Sequence, residues 1–443
     1  MTTHAMSPVD AAWYHMDGPA NLAMVTGVLL TKKPLDFNQV CAVYRERLAR
    51  FERFHQRVVE RGFPLPTPHW EDVPHFDMDQ HLHHVALPAP HDQAALMALI
   101  TDIASTPLDR EQPLWQVHVV DQVEGGSALV MLFHHCIADG TAMMGVMQRL
   151  FDPAPGTRQP TAPVLKLATP PLGILDKAAL VVSGAGMLVA ELLKWPDPPS
   201  PFKGDFGMRK HVAWSAPVAI KDVKAIGAHF DAKVNDVLVA AMTGALRTYL
   251  KGRGVDVNHT TVRAMVPVDL RPPERAGQMG NEFGLVILEL AVTKARAAQR
   301  LALTKERMDA LKRSTEPMAM RVLLDIFGRT PKAVEDVANL VFGSKTSLVM
   351  TNVAGPSSTL YLAGVAIDRM LFWVPHPGRE LGMGISIMSY RGQATLAVIA
   401  DARLVPDPEA ITDEFNREFS SMLRSLKPQA AKPALKKSLR SRA

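Results

Sequence analysis

The chain contains 443 residues, of which 47% are hydrophobic and 21% are charged. At roughly 100–200 residues per domain this length predicts about two or three domains, and the composition excludes a wholly disordered or a collagen-like chain. The net charge is +5, but the last twenty residues carry seven cations and no acid, which leaves about −2 for residues 1–423 and argues against a nucleic-acid-binding surface.

The N-terminal part of the sequence alternates helical and strand patterns. Apolar residues recur at helical spacing in 37–54 and predict a helix there. Residues 115–120 alternate in the manner of a half-buried strand, and 128–133 form an apolar run that is typical of a buried strand. This run leads directly into the sequence HHCIADG at 134–140, and helical character resumes over 141–150.

A proline-rich stretch follows the first half of the chain. Residues 152–201 contain ten prolines, and 178–190 within them carry no charge. This apolar run is shorter than the roughly 20 residues that a membrane-spanning helix needs. We predict that 152–210 connects two domains, with 174–195 either lying on a membrane surface or packed as a buried connector.

The second half repeats the mixed pattern of helices and strands. It predicts helices at 222–230, 235–251, 294–312 and 408–426, and strands at 261–268, 283–292, 347–353, 385–390 and 394–400. The sequence therefore predicts a mixed α/β fold. It consists of an N-terminal domain at 1–151, a connector at 152–210, a C-terminal domain at 211–426 and a basic, disordered tail at 427–443.

Two cysteines, Cys41 and Cys136, are too few for a disulfide framework. The N-terminus also lacks the basic and apolar regions of a secretory signal. Both features predict a cytoplasmic protein. The basic tail is expected to be a solvated chain end, with contact to anionic phospholipid as the alternative.

The HHCIADG sequence at 134–140 is the strongest candidate for a catalytic site. A neutral imidazole, with an ordinary pKa of about 6.5, accepts a proton from an attacking alcohol, which accelerates a reaction about 10²–10⁴-fold. We expect Asp139 to pair with a cation or to cap the helix that starts near Thr141, and Gly140 to adopt a backbone conformation that other residues avoid. Taken alone, these residues fit equally well two buried histidines before an ordinary Asp-Gly turn.

A zinc site is the rival chemical interpretation, because His81, His83 and His84 form a second histidine cluster. Adjacent histidines on a strand point to opposite faces and converge poorly on one ion. The sequence also contains no Cys-x-x-Cys and no His-Glu-x-x-His. We therefore predict no metal ligands.

Short motifs follow one another along nearly the whole chain. They are MSPVD at 6–10, FDMDQHLHHV at 76–85, PLDR and PLW at 107–115, HHxxxDG at 134–140, VNDVL at 234–238, GNEFG at 280–284, TNVAGP at 351–356 and SYxG at 389–392. In content and order they resemble the bacterial bifunctional wax ester synthase/acyl-CoA:diacylglycerol acyltransferase family.

This resemblance implies two similar domains of the chloramphenicol acetyltransferase kind, with a tunnel at their interface that acyl-CoA and a lipid alcohol reach from opposite sides. It implies His135 as the catalytic base and Asp139 as the structural aspartate, while His134 supports the loop with a lesser catalytic share. Asn235 and Gly140 are implied at the substrate, with Asn235 orienting it or steadying the oxyanion.

The implied reaction transfers a fatty acyl group from acyl-CoA to the hydroxyl of diacylglycerol or a long-chain alcohol, without an acyl-enzyme and without a cofactor. The implied setting is the cytoplasm, at the periphery of the inner membrane or of lipid inclusions. Two alternatives are an acyltransferase that uses a polyketide or carrier-bound alcohol, and a non-catalytic protein that binds lipid surfaces.

Further expectations concern the neighbours of the motif. Cys136 is expected to be a small buried residue and not a nucleophile, and Arg271 and Arg391 are the candidate cations for Asp139. The methionines near the motif are expected in the core, with the lining of an acyl-chain tunnel as the alternative; they are Met131, Met143, Met144 and Met147.

Overall fold

The computed structural model describes residues 3–62, 67–157, 196–272, 279–314, 316–327, 343–376 and 381–426. Within them the fold is mixed α/β, as predicted, with two large sheets and one small sheet. The predicted membrane-surface segment at 174–195 and the predicted disordered tail at 427–443 lie outside the described residues. In the part of the chain that is described, no helix is both long and apolar enough to cross a membrane.

The elements of the N-terminal half begin with a short strand and end with the helix that follows the HHCIADG sequence. They are β1 (Thr3–Ala5), α1 (Pro8–Met16), β2 (Met24–Thr31), α2 (Phe37–Arg47), β3 (Gln56–Arg61), β4 (Thr67–Asp72), β5 (Leu82–Ala86), α3 (Gln93–Ala104), β6 (Trp115–Val123), β7 (Gly126–His134) and α4 (Gly140–Leu150).

The elements of the second half follow the connector. They are β8 (Lys210–Trp214), β9 (Val218–Ala219), α5 (Ile220–His229), α6 (Val234–Gly252), β10 (Arg263–Asp269), β11 (Phe283–Glu289), α7 (Ala297–Arg313), α8 (Glu316–Phe327), β12 (Leu348–Ala354), β13 (Tyr361–Leu362), β14 (Val365–Trp373), β15 (Met383–Tyr390), β16 (Gln393–Asp401) and α9 (Glu409–Arg424).

The N-terminal sheet has the strand order β13-β14-β2-β7-β6-β5. Its strand β7 is buried along its whole length, as its continuous apolar run predicts, and β6 shows the predicted alternation over its first residues. Strand β2 pairs antiparallel with β7 so that Met24 lies opposite His134. The register therefore places the HHCIADG loop at the Met24 end of β2.

The second sheet has the order β11-β10-β12-β15-β16-β8, and β9 adds to β16. Strand β14 lies between β12 and β15 in the chain, but it pairs antiparallel with β2 of the N-terminal sheet, with Met370 opposite Leu29 and Trp373 opposite Thr26. The second half of the chain thus completes the first sheet. Residues of both sheets border one common cavity.

The helix predicted over 37–54 is shorter in the structure. Helix α2 ends at Arg47 and is followed by 3-10 turns at Leu48–Arg50 and Glu52–His55. The break comes at Phe51, whose backbone is extended, with φ −101° and ψ 104°. Phe51 and Phe54 are both buried, so tertiary packing of these two rings overrides the local helical pattern.

Candidate active site

The HHCIADG loop is anchored on both sides by backbone hydrogen bonds. The amide of His134 donates to the carbonyl oxygen of Leu114 (2.9 Å), and the amide of His135 donates to that of Ala23 (2.8 Å). The amide of Ala23 in turn donates to a carboxylate oxygen of Asp17 (2.8 Å). Segments before β2 and before β6 therefore fix the backbone position of both histidines.

The imidazole of His135 stacks on the indole of Trp13, with ring centroids 4.0 Å apart and planes at 11°. The ring of Phe283 lies against it edge-on at 5.9 Å. Burial lowers the pKa of His135, and the charge of Asp139 opposes this shift. The imidazole is therefore neutral at pH 7 and able to accept a proton.

His134 is more deeply buried and has different partners. Its Nδ1 accepts a hydrogen bond from the amide of Cys136 (3.1 Å), and its Nε2 lies 3.9 Å from a carboxylate oxygen of Asp17. Burial lowers the pKa of His134 to about 4, so that this ring is also neutral at pH 7. These contacts fit the loop-supporting part that the sequence predicts for His134.

Asp139 is saturated with hydrogen bonds from three directions. It caps helix α4 by accepting from the amide of Ala142 (2.8 Å), and it accepts from the amide of Glu282 (2.9 Å). The guanidinium of Arg271 donates to both carboxylate oxygens, at 3.1 and 2.8 Å. The side chain of Arg271 is only 2% exposed. Both sequence predictions for Asp139, a cation partner and a helix cap, are therefore confirmed.

The structure decides between the two candidate cations and corrects the prediction for Gly140. Arg391 lies elsewhere and donates to Asp368 (3.4 Å). Gly140 is the first residue of α4, and its φ is not positive. A β-carbon there would meet Val353 at an ordinary 3.6 Å. The expected special backbone conformation is therefore wrong, because the Asp139 cap starts a regular helix at this position; Gly140 instead borders the cavity.

Asn235 lies in the first turn of α6. Its side-chain oxygen accepts a hydrogen bond from the side-chain amide of Asn352 (2.7 Å). Asn352 belongs to β12 and borders the same cavity as His135, whereas Asn235 is not among the residues that line it. The structure thus connects Asn235 to the cavity through Asn352.

An apolar cavity of about 180 Å³ opens beside His135. One wall is the face of β2 formed by Val25, Gly27 and Leu29, since alternate residues of a strand share a face. The opposite walls come from the second half of the chain, including β10, β11 and β12. The cavity therefore lies at the interface of the two halves, where the sequence resemblance implies a tunnel.

The methionines near the motif all belong to one buried cluster or pack against it, as predicted, and three of them also line the cavity. Met143, Met144 and Met147 line the cavity from one side of α4, because Met147 lies four residues after Met143 and three after Met144, the spacings that share a helix face. Met131 lies in the core and is not among the lining residues. Cys136 is fully buried, and burial raises the pKa of its thiol well above the ordinary value, which confirms a buried small residue.

Several residues of the site were not singled out from the sequence, among them Trp13, Asn281 and Asp10. Trp13 supports the His135 ring, and Asn281 donates from its side-chain amide to the carbonyl oxygen of His135 (2.8 Å) and to the carboxylate of Asp10 (2.7 Å). Asp10 is 1% exposed, and burial raises the pKa of its carboxyl. The signal was present, because Asp10 and Asn281 belong to the MSPVD and GNEFG motifs.

The second histidine cluster is distributed over separate partners. His81 stacks on Trp115, His83 stacks on His118, and His84 contacts Asp121 at 2.6 Å. Over the described ranges, no three side chains of His, Cys, Asp or Glu are grouped so that they could hold a metal ion.

Comparison with known proteins gives matches along nearly the whole chain. Residues 6–194 match the model of the wax ester synthase/diacylglycerol acyltransferase catalytic domain, and residues 279–423 match the model of the C-terminal domain of the same family. A Mycobacterium tuberculosis H37Rv protein described as a diacylglycerol O-acyltransferase is 26% identical over 459 residues, covering 94% of this chain and 90% of the relative. A second protein of that strain with the same description is 28% identical and covers 82% of each chain.

Solved structures share the fold. The wax ester synthase/diacylglycerol acyltransferase of Marinobacter aquaeolei VT8 superposes with a TM-score of 0.71 at 22% identity, over 95% of this chain and 99% of that one. The first condensation domain of the calcium-dependent antibiotic synthetase, in complex with a substrate analogue, gives a TM-score of 0.63 at 16% identity over 96% of both chains. The predicted two-domain acyltransferase architecture is confirmed.

Proposed function

The chain belongs to the wax ester synthase/diacylglycerol acyltransferase family, and on this premise we propose how its site performs acyl transfer. The enzyme is an acyl-CoA-dependent O-acyltransferase whose acceptor is diacylglycerol, a long-chain alcohol or both, so that it makes triacylglycerol, wax ester or both. One observation supports the assignment of the base: the neutral imidazole of His135 borders an apolar cavity between the two halves.

The reaction is a direct transfer between two bound substrates. His135 removes the hydroxyl proton while the alcohol oxygen bonds to the thioester carbonyl carbon, and the carbonyl electrons move to an oxyanion. When the oxyanion collapses, the carbon–sulfur bond breaks, the ester forms, and the imidazolium returns its proton to the departing CoA thiolate. The proton and electron balance closes without an oxidant, a metal or an acyl-enzyme, so we propose that no cofactor is needed.

The other predicted residues act around this base. His134 and Asp139 hold the loop, through the amide of Cys136 and through Arg271 respectively. Gly140 borders the cavity at the start of α4. We assign to Asn235 the positioning of Asn352, whose amide borders the space in which the reacting groups meet.

We also propose that the enzyme works in the cytoplasm, at the surface of the inner membrane or of lipid inclusions. The acceptors and products are water-insoluble, and the last twenty residues carry seven cations, each of which contributes up to about 1 kcal/mol near an anionic lipid surface. Sedimentation with phosphatidylglycerol vesicles tests this proposal. Binding that is lost in a protein without residues 427–443 supports it, and equal binding by the shortened protein contradicts a role for the tail.

The direct experiment measures free thiol released from palmitoyl-CoA by the purified protein. We expect release only when an acceptor alcohol is present. Hexadecanol and dioleoylglycerol competing in one reaction, with separation of the products by thin-layer chromatography, identify the preferred acceptor. Thiol release without any acceptor, or no release with either lipid, would contradict the proposed reaction; release only with a polyketide or carrier-bound alcohol would establish the alternative acceptor.

A further inference from the structure

Gly27 occupies an unusual place in the cavity wall. It lies in the middle of β2, is buried, and faces Met131 across one strand pair and Phe372 across the other. Glycine is unfavourable inside a strand and usually marks a bulge or a close backbone approach. Neither explanation applies here, because the pairing with β7 is regular along β2 and the φ of Gly27 is not positive.

No backbone atom excludes a side chain at this position. A β-carbon on Gly27 would meet only the ends of two flexible side chains: the terminal methyl group of Met131 at 3.2 Å, which would have to shift by a few tenths of an ångström, and that of Met147 at 3.7 Å. At Gly126 and Gly284, by contrast, a β-carbon would overlap a backbone carbonyl oxygen. The missing side chain at Gly27 therefore widens the cavity. At the two other glycines, by contrast, backbone packing requires that no side chain is present.

The register of β2 gives the distance of this position from the catalytic loop. Met24 lies opposite His134, and Gly27 is three residues farther along the strand, which corresponds to about 10 Å. An extended alkyl chain advances about 1.25 Å per carbon for C–C bonds of about 1.5 Å. A chain that starts at the reacting carbon and follows β2 towards Leu29 thus passes Gly27 at about its eighth carbon.

We propose that Gly27 determines chain-length specificity: its missing side chain lets an unbranched alkyl chain of more than about eight carbons continue along β2. This inference rests on the proposed function and concerns one of the two substrates, the acyl group or the alcohol. The methionines of α4 form the flexible opposite side of the passage, and they adapt to the chain that lies against Gly27.

The variant Gly27→Val tests the proposal, because valine suits a strand and fills the passage. We measure kcat/KM for acyl-CoAs of 6 to 18 carbons with fixed hexadecanol, and for alcohols of the same lengths with fixed palmitoyl-CoA. Each methylene group that loses its site costs about fourfold in kcat/KM. In one of the two series we expect at least a tenfold loss for 16-carbon chains and less than a twofold change up to eight carbons; the responding series identifies the chain in the cavity.

Two further variants separate a blocked passage from general damage. Leu30→Val introduces the same residue in the same strand on the face away from the cavity, and it should retain the wild-type length profile. Met147→Ala in the Gly27→Val background removes the facing methyl group and should restore most of the activity on 16-carbon chains. If Gly27→Val does not fold, Gly27→Ala should show a smaller loss of kcat/KM for the same long chains.

A wild-type length profile for Gly27→Val in both series, or a loss that is equal at every length in both series, would overturn the inference about Gly27. Wild-type protein that releases no thiol with any alcohol would instead overturn the proposed function, and the inference with it. The two failures are therefore distinguishable by the wild-type control alone.

Discussion

At the scale of single residues, the site depends on an imidazole that stays neutral while it is surrounded by aromatic rings. The stack on Trp13 and the edge of Phe283 remove water from His135, and desolvation disfavours the charged imidazolium. The backbone bonds from the amide of His135 and to its carbonyl oxygen hold the ring at the cavity. The aromatic rings thus exclude water from the imidazole, and the backbone hydrogen bonds fix its position.

This arrangement predicts the pH dependence of the reaction. A general base works in its deprotonated form, and burial lowers the pKa of His135 below the ordinary 6.5. We expect kcat/KM to rise with pH through an inflection below 6.5 and to stay level from there to pH 8. As a control, His134→Asn keeps an acceptor for the amide of Cys136 and should leave this inflection in place. An inflection above 6.5 in the wild-type profile would contradict the assigned environment.

The sequence offers His135 as a candidate base but does not give its surroundings. The residue types of HHxxxDG suit proton transfer, and the family resemblance implies His135 as the base and Asp139 as the structural aspartate. Asn281 contacts the carbonyl oxygen of His135 although the two positions are 146 residues apart in the chain. A single sequence does not show that two such positions are close in space. For the same reason Arg271 and Arg391 are equal candidates until the fold brings one of them to Asp139.

At the scale of elements, helix α4 is tied to the second half of the chain through its N-terminal cap. Asp139 ends the loop, caps the N-terminus of the helix and accepts hydrogen bonds from two guanidinium nitrogens of Arg271. Thr141, the second residue of the same helix, donates to Asp269 of β10 (2.9 Å). The position of the catalytic loop is therefore determined jointly by both halves.

The variant Asp139→Asn separates the ion pair from the helix cap, because asparagine caps a helix about as well as aspartate. It leaves Arg271 buried without its main partner, and we expect the free energy of unfolding to fall by about 3 kcal/mol. Chemical unfolding measures this loss. Arg391→Gln, which breaks the exposed contact with Asp368, is the control and should cost less than about 1 kcal/mol. An equal loss of unfolding free energy in the two variants would contradict the stabilising role of the pair between Asp139 and Arg271.

Most elements of the second half agree with the sequence prediction to within a few residues, because their apolar patterns are long and regular. Helix α6, for example, is predicted at 235–251 and found at Val234–Gly252. Strand β14 is missing from the prediction. Arg369 and Asp368 interrupt its apolar residues, so the strand pattern is weak. Its partner β2 lies in the N-terminal half, and the order of elements along the chain does not reveal this pairing.

At the scale of the whole molecule, the two halves share structure and do not merely touch. One buried cluster joins Leu96 and Ile100 of α3 to Trp214 of β8 and Trp373 of β14. The buried ammonium of Lys210 donates to the carbonyl oxygen of Ala20 (2.6 Å). Because β13 and β14 belong to the first sheet, the N-terminal half does not contain all the strands of its own sheet.

This sharing predicts that the two halves unfold together. We expect a single transition in calorimetry, coincident with the change in tryptophan fluorescence, since losing either sheet exposes the apolar residues of the shared cluster. As a control for sensitivity to that cluster, Trp373→Phe should lower the midpoint without splitting the transition. Two separate transitions in the wild-type protein would show that the halves are independent domains.

The central claim is that His135 is the base for direct acyl transfer at the interface of the two halves. Its most direct test compares alcohol-dependent thiol release by the wild-type protein and by His135→Ala, with circular dichroism to establish that both are folded. We predict a loss of about 10²–10⁴-fold in turnover for His135→Ala. A folded His135→Ala protein that keeps full turnover would contradict the claim.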